Sequence, residues 1–151
     1  MDNALPTILT FFETMSSRLF VPTLETIYMV LVSTLLSLFF GLALAVIMVV
    51  TAPKGLRPCK SIYIVLDFIV NLLRSFPFII LIIAIIPFTR FVVGTSIGST
   101  ATIVPLTIAA APFVARIMEA SLLEVEQGII EAARSFGASN LQIIFKVMFK
   151  E

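Results

Sequence analysis

The longest uncharged stretch of the chain restricts its fold more than any other feature of the sequence. No Asp, Glu, Lys or Arg stands between Glu25 and Lys54. A helix over residues 27–50 would be about 36 Å long, enough to cross the roughly 30 Å hydrocarbon core of a bilayer. Only 13% of the residues are charged and 60% are hydrophobic, whereas a soluble domain has about 25% charged residues. We therefore predict an all-α integral membrane protein with residues 27–50 as its first transmembrane helix.

Two further apolar regions predict two more membrane spans. Residues 62–88 form the second span, and the proline at position 77 is expected to kink it. Residues 100–118 form the third span, which contains two prolines and is expected to bend. The loop at residues 51–61 is rich in Lys and Arg, whereas residues 89–99 contain two glycines and a single charge. By the positive-inside rule the first loop is cytoplasmic and the second lies outside.

This arrangement fixes the predicted orientation of the whole chain. Three spans with the first loop inside place the N-terminus outside and everything after about residue 118 in the cytoplasm. The segment from residue 8 to residue 20 is apolar but interrupted by Glu13 and Arg18, so it is predicted to lie at the membrane interface.

The cytoplasmic region, residues 119–151, is predicted to form a helix, a turn and a second helix. Gly137 can adopt a positive φ and end the first helix, on which Ile129, Ile130 and Ala133 form an apolar strip. Ser139 with Gln142 matches a capping box and begins the second helix. The apolar face of that second helix is predicted to consist of Leu141, Ile144, Phe145 and Met148.

Polar residues inside the spans are candidates for helix packing or for a translocation path. Asp67, Asn71 and Arg74 fall at i, i+4 and i+7 and so share one face of the second span. They either point into the bundle or an aqueous cavity, or lie at the interface where the helix end projects from the membrane. On the first span, a patch of small residues admits a neighbouring helix, although such residues also recur in membrane helices without that role: Gly41, Ala43 and Ala45.

Several classes of function have little support in the sequence. The chain has no His and one cysteine, Cys59, so neither a disulfide within the chain nor a usual zinc cluster is expected. No nucleophile stands beside a base, and neither catalytic residues nor a cofactor are predicted. The net charge is +1, which does not indicate a nucleic-acid partner.

The sequence resembles the permease subunits of type I ABC importers, and among them those of methionine importers. EAARSFG at residues 131–137, on the charged side of the predicted bundle, resembles the EAA loop that all permeases of this class share. More specific stretches are RSFPFIIL at 74–81, IPFTR at 86–90, VGTSIG at 93–98, IVPLT at 103–107 and AAPFVAR at 110–116. The resemblance covers nearly all of residues 24–147.

The resemblance implies a function, partners and site residues. In this family two permease copies form a pore in the bacterial inner membrane, two cytoplasmic ATP-binding subunits dock below it, and an extracytoplasmic binding protein delivers the amino acid. Carried over by position, Glu131, Ala132, Ala133 and Gly137 form the element that couples the permease to the ATPase. The resemblance then implies a transport subunit, not an enzyme, for L-methionine, with D-methionine as a second candidate substrate.

The end of the chain departs from the family pattern. Phe149-Lys150 stands where the family has Leu-Pro, and family members continue for two more spans. The sequence is therefore expected to be the N-terminal part of a five-span permease that does not import methionine by itself. Alternatives are a non-functional fragment, a permease for another polar amino acid, and a membrane-tethered helix-turn-helix regulator, whose recognition helix would be largely apolar.

Overall fold

A computed structural model describes the backbone of residues 4–150 and the side chains of Met15 and of residues 18–150. Within these residues every regular element is helical, which confirms the all-α prediction. The elements are α1 (Ala4–Thr51), α2 (Lys60–Ser75), α3 (Phe78–Val93), α4 (Ser99–Leu123), α5 (Gln127–Ser135), α6 (Asn140–Ile143) and a terminal π-helix (Ile144–Met148). By length and composition, Arg18–Thr51 and Ser99–Leu123 qualify as membrane spans, and α2 with α3 qualifies as a third, bent span.

The bundle is organised around the pairing of α1 with α4, which run in parallel. The Ser37 hydroxyl of α1 donates to the Thr107 carbonyl oxygen of α4 at 3.3 Å, and further along both helices Val49 and Leu122 share one buried cluster. Because α1 and α4 point the same way, the chain between them must return to the opposite end of the bundle. The α2–α3 segment makes that return.

Close approach of α1 and α4 depends on small residues. A Cβ atom placed on Gly41 would lie 2.7 Å from the Val114 Cβ atom and 2.8 Å from the Ala111 carbonyl oxygen. Ala45, one turn later, is fully buried. Ala43 lies on the exposed side of α1. Of the three residues in the predicted small-residue patch, only Gly41 and Ala45 therefore take part in the contact with α4.

At Pro77, where the sequence predicts a kink, the structure has a complete break. Helix α2 ends at Ser75, α3 begins at Phe78, and their axes are bent by 113°. Proline has no N–H to continue the hydrogen-bond ladder and its ring clashes with the preceding turn. The backbone at Phe76 and Pro77 is accordingly extended, with ψ of 131° and 134°.

The ends of helices α1, α3 and α4 differ from the boundaries predicted from the sequence. The predicted outer loop at residues 89–99 is too long, because α3 continues to Val93 and ends where Gly94 has φ +83°. Helix α4 begins at Ser99, continues through both prolines and extends to Leu123 instead of 118. Helix α1 begins at Ala4, so the segment expected at the interface is continuous with the first span. Pro22 lies inside α1 and does not interrupt the helix.

Candidate functional site

The helices after α4 pack against the base of the bundle to form one compact unit. Helix α5 buries Ile130, and the side chain of Ala133 packs beside it. Their neighbours belong to α1, to the loop after α1 and to α4. This packing attaches the tail to both long helices. The buried cluster comprises Val49, Leu56, Leu122, Ile130, Ile143, Ile144 and Met148.

A glycine turn gives this unit its shape. Gly137 has φ +80°, its N–H donates to the Arg134 carbonyl at 2.9 Å, and the Ala138 N–H donates to the Ala133 carbonyl at 3.1 Å. These two bonds form a Schellman motif, in which the residue at C′ must adopt the left-handed conformation that glycine tolerates best. After the turn, Ser139 and Gln142 form the capping box that the sequence predicts. The turn therefore sets a fixed angle between α5 and α6.

The outer face of α5 is open to solvent. Glu131 and Ala132 are exposed, and Phe136, at the tip beside the glycine turn, is 91% exposed. Aromatic residues are enriched at protein–protein interfaces, which makes this exposed phenylalanine a candidate contact residue. Of the four residues assigned to the coupling element, Glu131, Ala132 and Gly137 lie on this surface. Ala133 faces inward against the core, so its small size serves packing within the chain.

The apolar face predicted for the second tail helix is partly wrong. Ile144 and Met148 are buried as expected, but Leu141 is 67% exposed and Phe145 is 62% exposed, while Ile143 is fully buried. The π-helix over Ile144–Met148, closed by the Phe149 N–H donating to the Ile144 carbonyl at 3.0 Å, bears on Phe145 but not on Leu141 and Ile143, which precede it. An i→i+5 turn rotates later side chains away from the positions that a 3.6-residue period assigns.

The loop after α1 and the tail lie at the same end of the bundle. Leu56 in this loop is buried in the shared cluster, and its carbonyl oxygen accepts a hydrogen bond from Arg134 Nη2 at 2.8 Å. Most of the basic residues after α1 therefore lie at this end of the bundle. All six are exposed: Lys54, Arg57, Lys60, Arg134, Lys146 and Lys150.

The polar stripe on α2 lies beside α4, with Asp67 half-buried and Asn71 and Arg74 exposed. Arg116 on α4 forms an ion pair with Asp67 and donates to Asn71 Oδ1 at 2.9 Å. Its other nitrogen donates to Glu119 Oε2 at 2.7 Å. Glu119 is 2% exposed, and its Oε1 has no hydrogen-bond partner within the described residues. One arginine thus links two carboxylates and an amide, and it fixes α2 against α4.

Arg74, the third residue of the stripe, has a different environment. Its guanidinium lies 6.0 Å from the centroid of the Phe113 ring and forms no ion pair with any described residue. It borders a cavity of about 630 Å³ at the α2–α3 break. The walls of this cavity come from α2, α3 and α4, with Asn71 and Ser75 as the other polar side chains and Leu73, Phe76, Phe78, Leu81, Ala109 and Phe113 as the apolar part.

Apolar helices of spanning length, with a compact unit of short helices at one end of the bundle, define a helical membrane protein. Residues 37–151 match the family described as "Binding-protein-dependent transport system inner membrane component". The chain belongs to this family.

Relatives and solved structures agree with this assignment. The chain is 50% identical over 127 residues to the D-methionine transport system permease protein MetI of Yersinia pestis, covering 84% of this chain and 58% of that protein. It is 47% identical over 145 residues to the probable MetI of Vibrio cholerae, covering 96% and 64%. A chain of the MetNI methionine ABC transporter, in an inward-facing conformation, superimposes with TM-score 0.84 at 46% identity, covering 90% and 63%. The chain thus spans about three-fifths of the length of these relatives.

Three residues of the α2–α4 polar network and of the exposed face of α5 were not predicted as site residues from the sequence. Arg116 and Glu119 lie three positions apart on a span, and this spacing of opposite charges at membrane depth was a usable signal. Phe136 carried no such signal, because an aromatic residue in a tail of this composition is as easily read as part of the buried face.

Proposed function

We propose that the chain acts as a membrane-spanning permease subunit of an ATP-driven amino-acid importer, with methionine as the substrate. The family match supports the transport class, and the names of the relatives support methionine. In this role the chain is not a catalyst. ATP hydrolysis belongs to a separate cytoplasmic subunit, and the chain transmits that subunit's movement to the bundle.

The observation that carries the proposal is the rigid, exposed face of α5. Glu131, Ala132 and Phe136 project from a helix whose other side is fixed to α1 and α4 by the buried cluster. A partner that grips this face therefore displaces the two longest helices together. The exposed Phe136 would insert into an apolar recess of the ATP-binding subunit, since buried aromatic anchors contribute much of the affinity at protein interfaces.

The same proposal assigns an orientation and further partners. The end carrying the basic loop and α5 faces the cytoplasm of a bacterial cell, as expected for Lys- and Arg-rich loops at an inner membrane. The opposite end, with the loop at residues 94–98, faces the methionine-binding protein. The many exposed apolar side chains of α1 and α3 face lipid and a second copy of the permease.

A docking experiment tests the proposal. The purified chain in lipid nanodiscs is mixed with the ATP-binding subunit of a MetNI-type transporter, and association is measured by a pull-down assay. The control variant is Phe145→Asp, because Phe145 is 62% exposed but lies outside the proposed contact. This variant should retain association. Phe136→Asp should weaken association at least about tenfold, the effect of losing an aromatic anchor worth 2 kcal/mol or more. Equal association of both variants with the partner would refute the proposed contact.

A further inference from the structure

We propose that the cavity at the α2–α3 break binds the substrate directly, as a zwitterionic α-amino acid with an uncharged, apolar side chain whose carboxylate pairs with Arg74. The identification of that amino acid with methionine rests on the proposed function, whereas the preference for a zwitterion follows from the cavity itself.

The case for an anion at this place begins with Arg74. Arg74 on α2 and Arg116 on α4 differ in their partners. Arg116 is paired with Asp67 and Glu119, whereas the nearest group described for Arg74 is the Phe113 ring at 6.0 Å. A cationic side chain within a membrane-spanning segment is costly unless it meets water or a counter-charge. No acidic side chain lines the cavity, so a bound anion would supply the counter-charge that Arg74 lacks among the described residues.

The guanidinium also has the geometry that a carboxylate needs. Its planar donors bind both carboxylate oxygens at once, which is why arginine is the usual choice for this group. The Arg74 guanidinium lies over the face of the Phe113 ring, 6.0 Å from its centroid, where cation–π attraction holds it. The cavity of about 630 Å³ lies within the 300–1,000 Å³ range of sites for small molecules.

The break in the helix supplies a place for the ammonium group. The last four carbonyls of α2, those at residues 72–75, have no following turn to bond with, and the Ser75 hydroxyl bonds the Asn71 carbonyl at 2.8 Å rather than any of these. The helix dipole makes this end electronegative. Broken membrane helices commonly hold small charged ligands between their two ends in this way. Asn71 cannot take this role, since its side-chain amide is already bonded to Asp67 and Arg116.

The remaining walls define the side chain that fits. Phe76, Phe78, Leu81 and Phe113 are apolar, and sulfur of a thioether packs well against aromatic rings. A lysine or arginine ligand would place a second cation beside Arg74, while an aspartate or glutamate would bury an unpaired second carboxylate among aromatic rings. The cavity therefore selects neutral, apolar amino acids over charged ones.

Direct binding to the full chain in lipid nanodiscs tests the site, with labelled L-methionine as the probe. Arg74→Gln should weaken binding at least about tenfold, as expected for losing a charge-assisted hydrogen bond. The matched control is Arg90→Gln, because Arg90 is an exposed arginine of α3 that bonds Ser96 and lies outside the cavity; its binding should equal that of the unaltered chain.

A second measurement needs no variant and so remains valid if Arg74→Gln misfolds. Methioninol, which lacks the carboxylate, should compete at least about tenfold less well than methionine for the unaltered chain. The proposal is overturned if methioninol competes equally, if Arg74→Gln binds like Arg90→Gln, or if the unaltered chain binds no methionine up to its solubility limit. Docking through α5 is measured separately, so failure there with intact methionine binding would reject the proposed coupling and leave this site standing.

Discussion

Replacing Gly41 with alanine should separate α1 from α4. The added Cβ would lie 2.7 Å from Val114 Cβ and 2.8 Å from the Ala111 carbonyl oxygen, whereas ordinary contacts begin at 3.4 Å. Relief requires the helices to move apart by about 0.7 Å, and a gap of that size removes roughly a quarter to a half of the dispersion energy of each contact it affects. The obstacle includes backbone, so rotation of a side chain cannot remove it.

The expected magnitude follows from two opposing effects. Overpacking of this kind costs about 1–3 kcal/mol, while alanine gains up to about 1 kcal/mol over glycine in helix propensity. The net loss should be about 1–2 kcal/mol, a change of about 5- to 30-fold in the ratio of paired to separated helices.

Reversible unfolding in mixed micelles of dodecylmaltoside and SDS measures this loss. Pairing is followed by energy transfer between dyes on the exposed faces of α1 and α4, and Gly41→Ala should lower the SDS fraction at the midpoint. Ala43→Val adds volume on the exposed side of the same helix and should leave the midpoint unchanged. Gly128→Ala, with no atom closer than 4.0 Å to the new Cβ, controls for helix propensity. If Gly41→Ala matches these controls, the close-approach argument is wrong.

Three further predictions test orientation, the turn and the polar network. Cys59 should react with a membrane-impermeant thiol reagent only after cells are opened; labelling of intact cells would reverse the proposed orientation. Gly137→Val should cost about 1 kcal/mol or more because of φ +80° and should weaken docking of the ATP-binding subunit, whereas Gly137→Asn should retain most of it. Arg116→Gln should destabilise the α2–α4 pairing by about 3 kcal/mol, because it leaves Glu119 buried without a partner. Adding Glu119→Gln should restore part of that loss, and strictly additive losses would show that the two side chains are not coupled.

Local features of the fold could be predicted from the sequence because their causes lie within a few residues. Pro77 removes a backbone donor, so the break it causes depends little on the rest of the chain. Gly137 and the Ser139–Gln142 pair determine a turn and a cap by their own backbone and side-chain geometry. The first membrane span could likewise be predicted, because the length of the uncharged stretch is read directly from the sequence.

Features that depend on distant contacts could not be predicted in the same way. The sequence indicates that Asp67, Asn71 and Arg74 share a face, but not that Arg116 takes the first two and leaves the third free. That division depends on the rotation of α4 relative to α2. The π-helix could not be predicted either, because the residues of Ile144–Met148 also fit an ordinary α-helix.

The parallel pairing of α1 with α4 imposes an order on the synthesis of the chain. Ser37 and its partner Thr107 are 70 residues apart in sequence. At the usual 5–20 residues per second, α4 emerges from the ribosome about 4–14 s after the middle of α1. During that interval Gly41, Ser33 and Ser37, which are buried in the folded chain, have no neighbour from α4, and the two serine hydroxyls bond only carbonyls of α1 itself. Newly inserted α1 therefore exposes the face that later packs against α4. The insertion machinery or lipid must cover this face until α4 is inserted.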